Sequence, residues 1–71
     1  MDIFSFLESE IVQISNLEHE SEKYAQYRYC FGVLETLLAL GEVPVHIHQE
    51  YSSQIRSKFD ALSYVMKLRG L

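Results

Sequence analysis

The stretch from Tyr24 to Leu40 is the most hydrophobic and most regular part of this chain. Its apolar side chains recur at spacings of three and four, the rhythm of a helix that packs on other helices. The residues at these spacings are Tyr24, Tyr27, Phe31, Leu34 and Leu38. Four more widen the apolar stripe to roughly half of the helix circumference, namely Cys30, Val33, Leu37 and Leu40. Because one neighbour covers less than that, the sequence predicts a central helix between two packing partners.

The length of the chain leaves little room for a large core. A chain of 71 residues forms one domain and buries roughly 60% of the surface that its unfolded state exposes. Cys30 is the only cysteine, so no disulfide can form within the chain. Tight helix packing or oligomerisation remains as the source of additional stability.

The overall charge limits the class of partner. A net charge of −4 with only six basic residues argues against a general nucleic-acid partner. Residues 1–4 lack the positive region of a signal peptide, and the longest uncharged apolar run, residues 29–34, is too short to cross a bilayer. We therefore expect a reduced, cytoplasmic compartment and no membrane partner.

The charges are unevenly distributed along the chain. Residues 1–22 contain six acidic residues and no Lys or Arg, whereas the cations near the other end are Arg56, Lys58, Lys67 and Arg69. Opposite charges of this kind suit packing of the first third on the last third, within one chain or between two copies. Both regions can equally be solvated faces whose charges follow the helix dipole, and the sequence leaves these two interpretations open.

A first helix is predicted from Asp2, which is placed to cap it, to about Leu17. All but one of its apolar residues fall within one arc of roughly 160°, and those in the arc are Ile3, Phe4, Phe6, Leu7, Ile11, Ile14 and Leu17. Val12 lies outside this arc and Glu10 lies inside it. A carboxylate at the edge of an apolar stripe extends to solvent or pairs with a base on a neighbouring helix, and we expect one of these for Glu10.

Residues 15–23 hold a single apolar side chain. A helix running straight through them would direct two apolar stripes to nearly opposite sides, so the pattern favours a break and a second helix that folds back. Ser15 with Glu18, or Ser21 alone, is placed to cap the restart. A continuous helix remains as the alternative, in which two long helices exchange partners in a dimer.

The end of the central helix is marked more clearly. Gly41 follows the last periodic residue and is expected to adopt the left-handed conformation that closes a helix, and Pro44 is expected in the first turn of the next one. A third helix is predicted from Val45 to about Leu68, with Gly70 at its end. Its predicted buried stripe comprises Ile47, Tyr51, Ile55, Phe59, Leu62, Val65 and Met66. The predicted fold is all-α, a single domain of three helices near 2–17, 22–40 and 45–68, assembled as a dimeric helical bundle.

The pattern His46-x-His48-x-Glu50 has a spacing that suits metal ligands on a strand. On the predicted helix His48 points away from the other two, so we predict no metal and no cofactor. Cys30 lies on the apolar side of the central helix with no histidine at helical spacing, which predicts a buried hydrophobe rather than a reactive thiol. No motif carries chemistry by itself, so no catalytic residue and no enzymatic activity are predicted.

Tyr29 lies off the main stripe, close to Val33 and Leu40, and tyrosine is enriched at the energetic centres of interfaces. The predicted interface consists of Tyr29, Val33, Leu40, Arg56 and Lys58. The leading hypothesis is a non-catalytic protein–protein interaction module, a small regulator, inhibitor or adaptor, that forms a homodimer or binds another protein. The alternative is a dimeric helical nucleic-acid-associated regulator that uses the basic C-terminal helix, and a small metal-binding or enzymatic protein comes third.

Overall fold

The computed structural model describes residues 2–70, and this part of the chain contains helices and no strand. The helices are α1 (Ile3–Asn16), α2 (Glu20–Ala39), α3 (Val45–Lys58) and α4 (Ala61–Leu68). The all-α prediction is confirmed, and the first two helices begin and end within two residues of their predicted positions. The prediction of three helices is wrong, because the third one is divided into α3 and α4.

The break between α1 and α2 lies at residues 17–19, inside the polar segment that predicted it. The carboxylate of Asp2 caps α1 by accepting a hydrogen bond from the backbone N–H of Phe4 at 3.1 Å. The predicted cap of α2 is wrong, since its N-cap residue is His19, whose side chain makes no capping hydrogen bond. The Nζ atom of Lys23 instead donates to the backbone oxygens of Ile14 at 3.1 Å and Ser15 at 3.3 Å, and so satisfies the open end of α1.

Gly41 closes α2 as predicted. Its φ of 75° lies in the left-handed region that glycine adopts without strain. Its N–H donates to the carbonyl oxygen of Leu38, and the N–H of Glu42 donates to that of Leu37, the hydrogen-bond pattern of a Schellman motif. Pro44 is the N-cap of α3 rather than part of its first turn. The chain therefore reverses sharply, and α3 packs back against α2.

The predicted continuous helix over 45–68 is interrupted at Phe59 and Asp60. Phe59 is extended, with φ −157° and ψ 131°, and Asp60 starts α4 by accepting a hydrogen bond from the N–H of Ser63 at 3.0 Å. Aspartate favours such a cap because its side chain replaces a missing backbone acceptor. The break turns the outer side of α4 away from the core, so Leu62 and Met66, predicted to be buried, are 71% and 43% exposed.

The core lies where α2 packs between α1 and α3, which confirms the predicted position of the central helix. Its buried apolar residues are Leu7, Ile11, Ile14, Cys30, Leu34, Leu37, Val43, Tyr51 and Ile55. An aromatic cluster joins α4 to the rest, with ring centroids of Tyr24 and Tyr64 5.2 Å apart and those of Phe59 and Tyr64 5.6 Å apart. Within residues 2–70, no helix combines the length and the hydropathy that a membrane span requires.

Candidate interaction surface

The side of α2 that points away from the core is apolar and open to solvent. Tyr29 is 47% exposed and Leu40 is 69% exposed, and Val33 between them is half-buried. At 100° per residue these three positions fall within roughly 40° of one another, so they share one side of the helix. The structure thus brings together three of the five predicted interface residues.

A shallow groove runs across this side of α2. It has a volume of about 430 Å³ and is lined by Tyr29, Gly32, Val33, Thr36 and Leu37. The floor of the groove lies at Gly32, where a Cβ atom would meet no other atom within 4 Å. The hydroxyl of Thr36 donates to the backbone oxygen of Gly32 at 2.8 Å, so its donor is already satisfied within the helix. The side chains that line the groove are therefore uncharged.

We define the α2 outer face as the exposed or half-buried residues on this side of the helix, which are Ala25, Tyr29, Gly32, Val33, Thr36 and Leu40. Sequence periodicity alone missed Gly32 and Thr36, because it counts apolar side chains and the groove is formed by a missing one. The sequence did contain a signal for the groove, which is Gly32 itself. An isolated glycine in the middle of a long helix lowers the stability of the helix by roughly 1 kcal/mol relative to alanine, so its presence needs a structural reason.

Charged side chains stand along one edge of the α2 outer face. Arg28 lies over the ring of Tyr24, with its Cζ 5.9 Å from the ring centroid. The carboxylate of Glu35 is 2.6 Å from Nε2 of His48 on α3, and the Glu35 side chain remains 60% exposed. This edge therefore carries a cation and an anion seven residues apart, which is about two helical turns.

The opposite edge of the α2 outer face is covered by α1. The Gln26 amide nitrogen donates to the backbone oxygen of Glu10 at 2.9 Å and to its carboxylate at 2.8 Å. The sequence predicts that Glu10 extends to solvent or pairs with a base, and the structure pairs it with an amide instead. Ile3 on α1 and Val33 on α2 each lie seven residues from this pair, on the same sides of their helices. Ile3 is 36% exposed and therefore extends the apolar surface.

The other two predicted interface residues, Arg56 and Lys58, lie elsewhere. The guanidinium carbon of Arg56 is 5.5 Å from the centroid of the Phe31 ring. Phe31 is two residues beyond Tyr29, which places it roughly 200° around the helix and on the opposite side of α2. Lys58 is exposed at the end of α3. The structure therefore does not join these cations to Tyr29, Val33 and Leu40 in one surface.

An ion pair joins the acidic and basic parts of the chain. Nζ of Lys67 on α4 is 3.0 Å from the Glu20 carboxylate at the start of α2. Both side chains are more than half exposed, and a pair of this kind contributes between about 0 and 1 kcal/mol. Two of the four cations that the nucleic-acid alternative requires, Arg56 and Lys67, thus make contacts within the chain.

The side chains considered for metal or thiol chemistry are dispersed. His48 is paired with Glu35, His46 is exposed, and no group of three metal-binding side chains occurs anywhere in residues 2–70. Cys30 is fully buried, as predicted. Burial, and to a lesser degree the nearby Glu10 carboxylate, raises the pKa of the Cys30 thiol to about 11. The thiol is therefore protonated at neutral pH and is a poor nucleophile.

Tyr51 forms the main polar contact between α3 and α1. Its hydroxyl donates to the Glu8 carboxylate at 2.9 Å, and its ring stacks on Phe4 with centroids 6.2 Å apart. Burial, reinforced by Glu8, raises the pKa of Tyr51 to about 12, so the phenol stays protonated over the physiological range. This contact stabilises the core and lies away from the α2 outer face.

Comparisons of this chain with protein families, with curated proteins and with solved structures find no significant match.

Proposed function

We propose that this chain is a non-catalytic protein–protein interaction module that associates with a second copy of itself through the α2 outer face. The observation that carries the proposal is the exposure of Tyr29 and Leu40 beside an uncharged groove on the longest helix of the domain. Exposed apolar surface of this kind, rimmed by charged residues, is typical of a site that binds another protein. A small regulator, inhibitor or adaptor is the class of protein that fits.

The shape of the domain supports association as a source of stability. Its radius of gyration is 12.8 Å, against about 11 Å for a compact domain of this length. The principal extents of 39 × 21 × 16 Å describe a flattened, elongated body with much of α2 on its surface. With one cysteine, the chain has no disulfide to compensate, and a second copy would cover the exposed side of its central helix.

Sedimentation equilibrium of the native chain and its variants tests this proposal. We expect a concentration-dependent dimer that is lost in Tyr29→Glu and in Leu40→Glu, because either change places a charge in the apolar contact. Val12→Glu is the matched control, since Val12 is 52% exposed on α1 and lies outside the α2 outer face. This control should still form the dimer.

A native chain that stays a folded monomer at several hundred micromolar would refute self-association. The α2 outer face would then be the docking site for a different protein. Loss of the dimer in the Val12→Glu control to the same extent as in Tyr29→Glu would place the interface elsewhere on the molecule.

A further inference from the structure

Contacts within one copy of the chain do not explain why the residue at this position, Gly32, is a glycine. Glycine is the poorest helix former after proline, yet Gly32 lies near the middle of the 20-residue helix α2. Its φ is not among the positive values, so the backbone does not need glycine there. A Cβ at this position would meet nothing within 4 Å, so packing within the domain does not need it either. The remaining structural reason is the close approach of another molecule to the helix backbone.

We propose that two copies pair antiparallel along α2, with the two-fold axis next to Gly32 and Val33, so that Tyr29 of each copy enters the groove of the other. The proposal rests on the self-association argued above and specifies its geometry. Two-fold symmetry closes the assembly at a dimer, because the same surface of each copy is used up in the contact.

The α2 outer face is complementary to itself only in this orientation. Around the proposed axis each large side chain lies at the level of a small one in the second copy, and the pairs that share a level are Ala25 with Leu40, Tyr29 with Thr36, and Gly32 with Val33. A parallel pairing would instead oppose Tyr29 to Tyr29 and Leu40 to Leu40, and it would leave the groove at Gly32 unfilled. Tight packing of large against small side chains is what favours one helix pairing over another.

The charges at the edge of the face agree with the antiparallel pairing. Arg28 and Glu35 lie on the same edge of α2, about 20° apart at 100° per residue. Around the proposed axis, Arg28 of each copy lies about two residues, or roughly 3 Å of helix rise, from the level of Glu35 in the other copy. The Glu35 side chain is 60% exposed even with its contact to His48, so it is accessible to a second cation. Two opposite-charge pairs therefore lie along one edge of the apolar contact.

The size of the contact sets the expected strength. From Ala25 to Leu40 the face is roughly 24 Å long and about one helix diameter, roughly 10 Å, wide. A face of that outline buries on the order of a few hundred Å² per copy, which is below the roughly 800 Å² per partner of a standard interface. The dimer should therefore dissociate in the micromolar range rather than form an obligate complex.

Disulfide cross-linking in a Cys30→Ala background tests the orientation. Val33→Cys should form a disulfide dimer, since the two copies of this position lie next to the axis. Ala25→Cys and Leu40→Cys should not cross-link alone, because each lies roughly 22 Å from its own counterpart, but an equal mixture of the two should. Val12→Cys, outside the face, reports the rate of random collision.

The outcomes separate this proposal from self-association itself. Cross-linking of Ala25→Cys or Leu40→Cys alone would establish a parallel pair and overturn the geometry, while the dimer would stand. A dimer in sedimentation with no cross-link at any of these positions would also overturn it. Absence of any dimer would instead refute the proposed function.

Exchanging the charges of Arg28 and Glu35 provides a second test of the orientation, in which the native Cys30 is kept. Arg28→Glu alone and Glu35→Arg alone should each weaken the dimer roughly tenfold, since two attractive pairs become repulsive. The double variant should restore the native affinity, because the pairs are re-formed with their charges exchanged. Two additive losses in the double variant would show that Arg28 and Glu35 do not face each other and would overturn the antiparallel pairing.

Discussion

Ser52 is a buried polar side chain whose position in the core has a measurable cost. It is 4% exposed, and its hydroxyl has no hydrogen-bond partner within residues 2–70. Burial of an unsatisfied hydroxyl costs about 1–3 kcal/mol. We expect Ser52→Ala to raise the free energy of unfolding by about 1 kcal/mol in chemical denaturation, and the exposed Ser53→Ala to leave it unchanged. A loss of stability in Ser52→Ala would mean that the hydroxyl is satisfied in solution.

Cys30 predicts how stability depends on alkaline pH. Its pKa in the folded chain, about 11, is above the ordinary value of 9.0, because burial disfavours the thiolate. The unfolded chain therefore loses this proton first, so the contribution is fully present below pH 9 and is lost as the pH rises through 11. The free energy of unfolding should fall by about 2 kcal/mol over this range from Cys30 alone.

The matched variant is Cys30→Ala, measured by urea denaturation between pH 8 and pH 11. Its stability should fall less steeply with pH than that of the native chain, even though the smaller side chain lowers stability at every pH. Equal slopes in the two proteins would contradict a buried, protonated thiol. Tyr51 adds a similar loss between its ordinary pKa of 10.0 and about 12, and this loss is common to both proteins.

The helices differ in how fully the sequence encodes them. The end of α2 was predictable because Gly41 adopts the left-handed conformation without strain and Pro44 lacks the backbone N–H that a continuing helix needs. The division between α3 and α4 was not, because Phe59 and Asp60 are compatible with a helix and the apolar spacing continues across them. What decides it is tertiary, since Phe59 packs on Tyr24 and Tyr27 while Asp60 caps the restart. Periodicity reports the side chains of one helix and not such contacts.

The α2 outer face follows the same division. That Tyr29, Val33 and Leu40 share one side of α2 was predictable from their spacing at 100° per residue. The grouping of Arg56 and Lys58 with them rested on charge alone, which contains no information on which side of α2 the third helix packs. The groove at Gly32 could not be predicted from the sequence. Its shape depends on the rotamers of the neighbouring side chains and on the Thr36 hydroxyl, which donates to the backbone.

Helix α4 is held by its cap and by few side chains, so it should open separately from the core. Asp60→Ala removes the cap and should lower the free energy of opening of α4 by about 1 kcal/mol. Amide hydrogen exchange within α4 should then be roughly fivefold faster. The Leu34 amide in α2 should be unaffected, and Asp60→Asn should restore the native rate because asparagine caps equally well. Equal acceleration at Leu34 would show that α4 opens only with the whole domain.

The molecule as a whole presents the α2 outer face and the Arg56 side chain on different sides. Arg56 lies on the far side of α2 from Tyr29, and Lys58 is exposed at the end of α3. Substitutions that are distant from a contact act nearly independently of it, so we consider the double variant Arg56→Glu with Lys58→Glu. We expect the dissociation constant of the dimer to change by no more than about twofold, measured by sedimentation in enough salt to screen the added negative charge. A tenfold or larger loss would return Arg56 and Lys58 to the interface, where the charge pattern of the sequence first placed them.

One side of α2 packs against α1 and α3, and the other side is the α2 outer face. Packing of the fold and binding of a partner therefore constrain different positions of the same helix. Leu34 and Cys30 are constrained by the fold, whereas Tyr29, Thr36 and Leu40 touch little of it. Over evolutionary time the outer positions can change, and with them the choice of partner, while the domain keeps its architecture. A proline within α2 has no such freedom, since it would remove the fold and the binding surface in a single step.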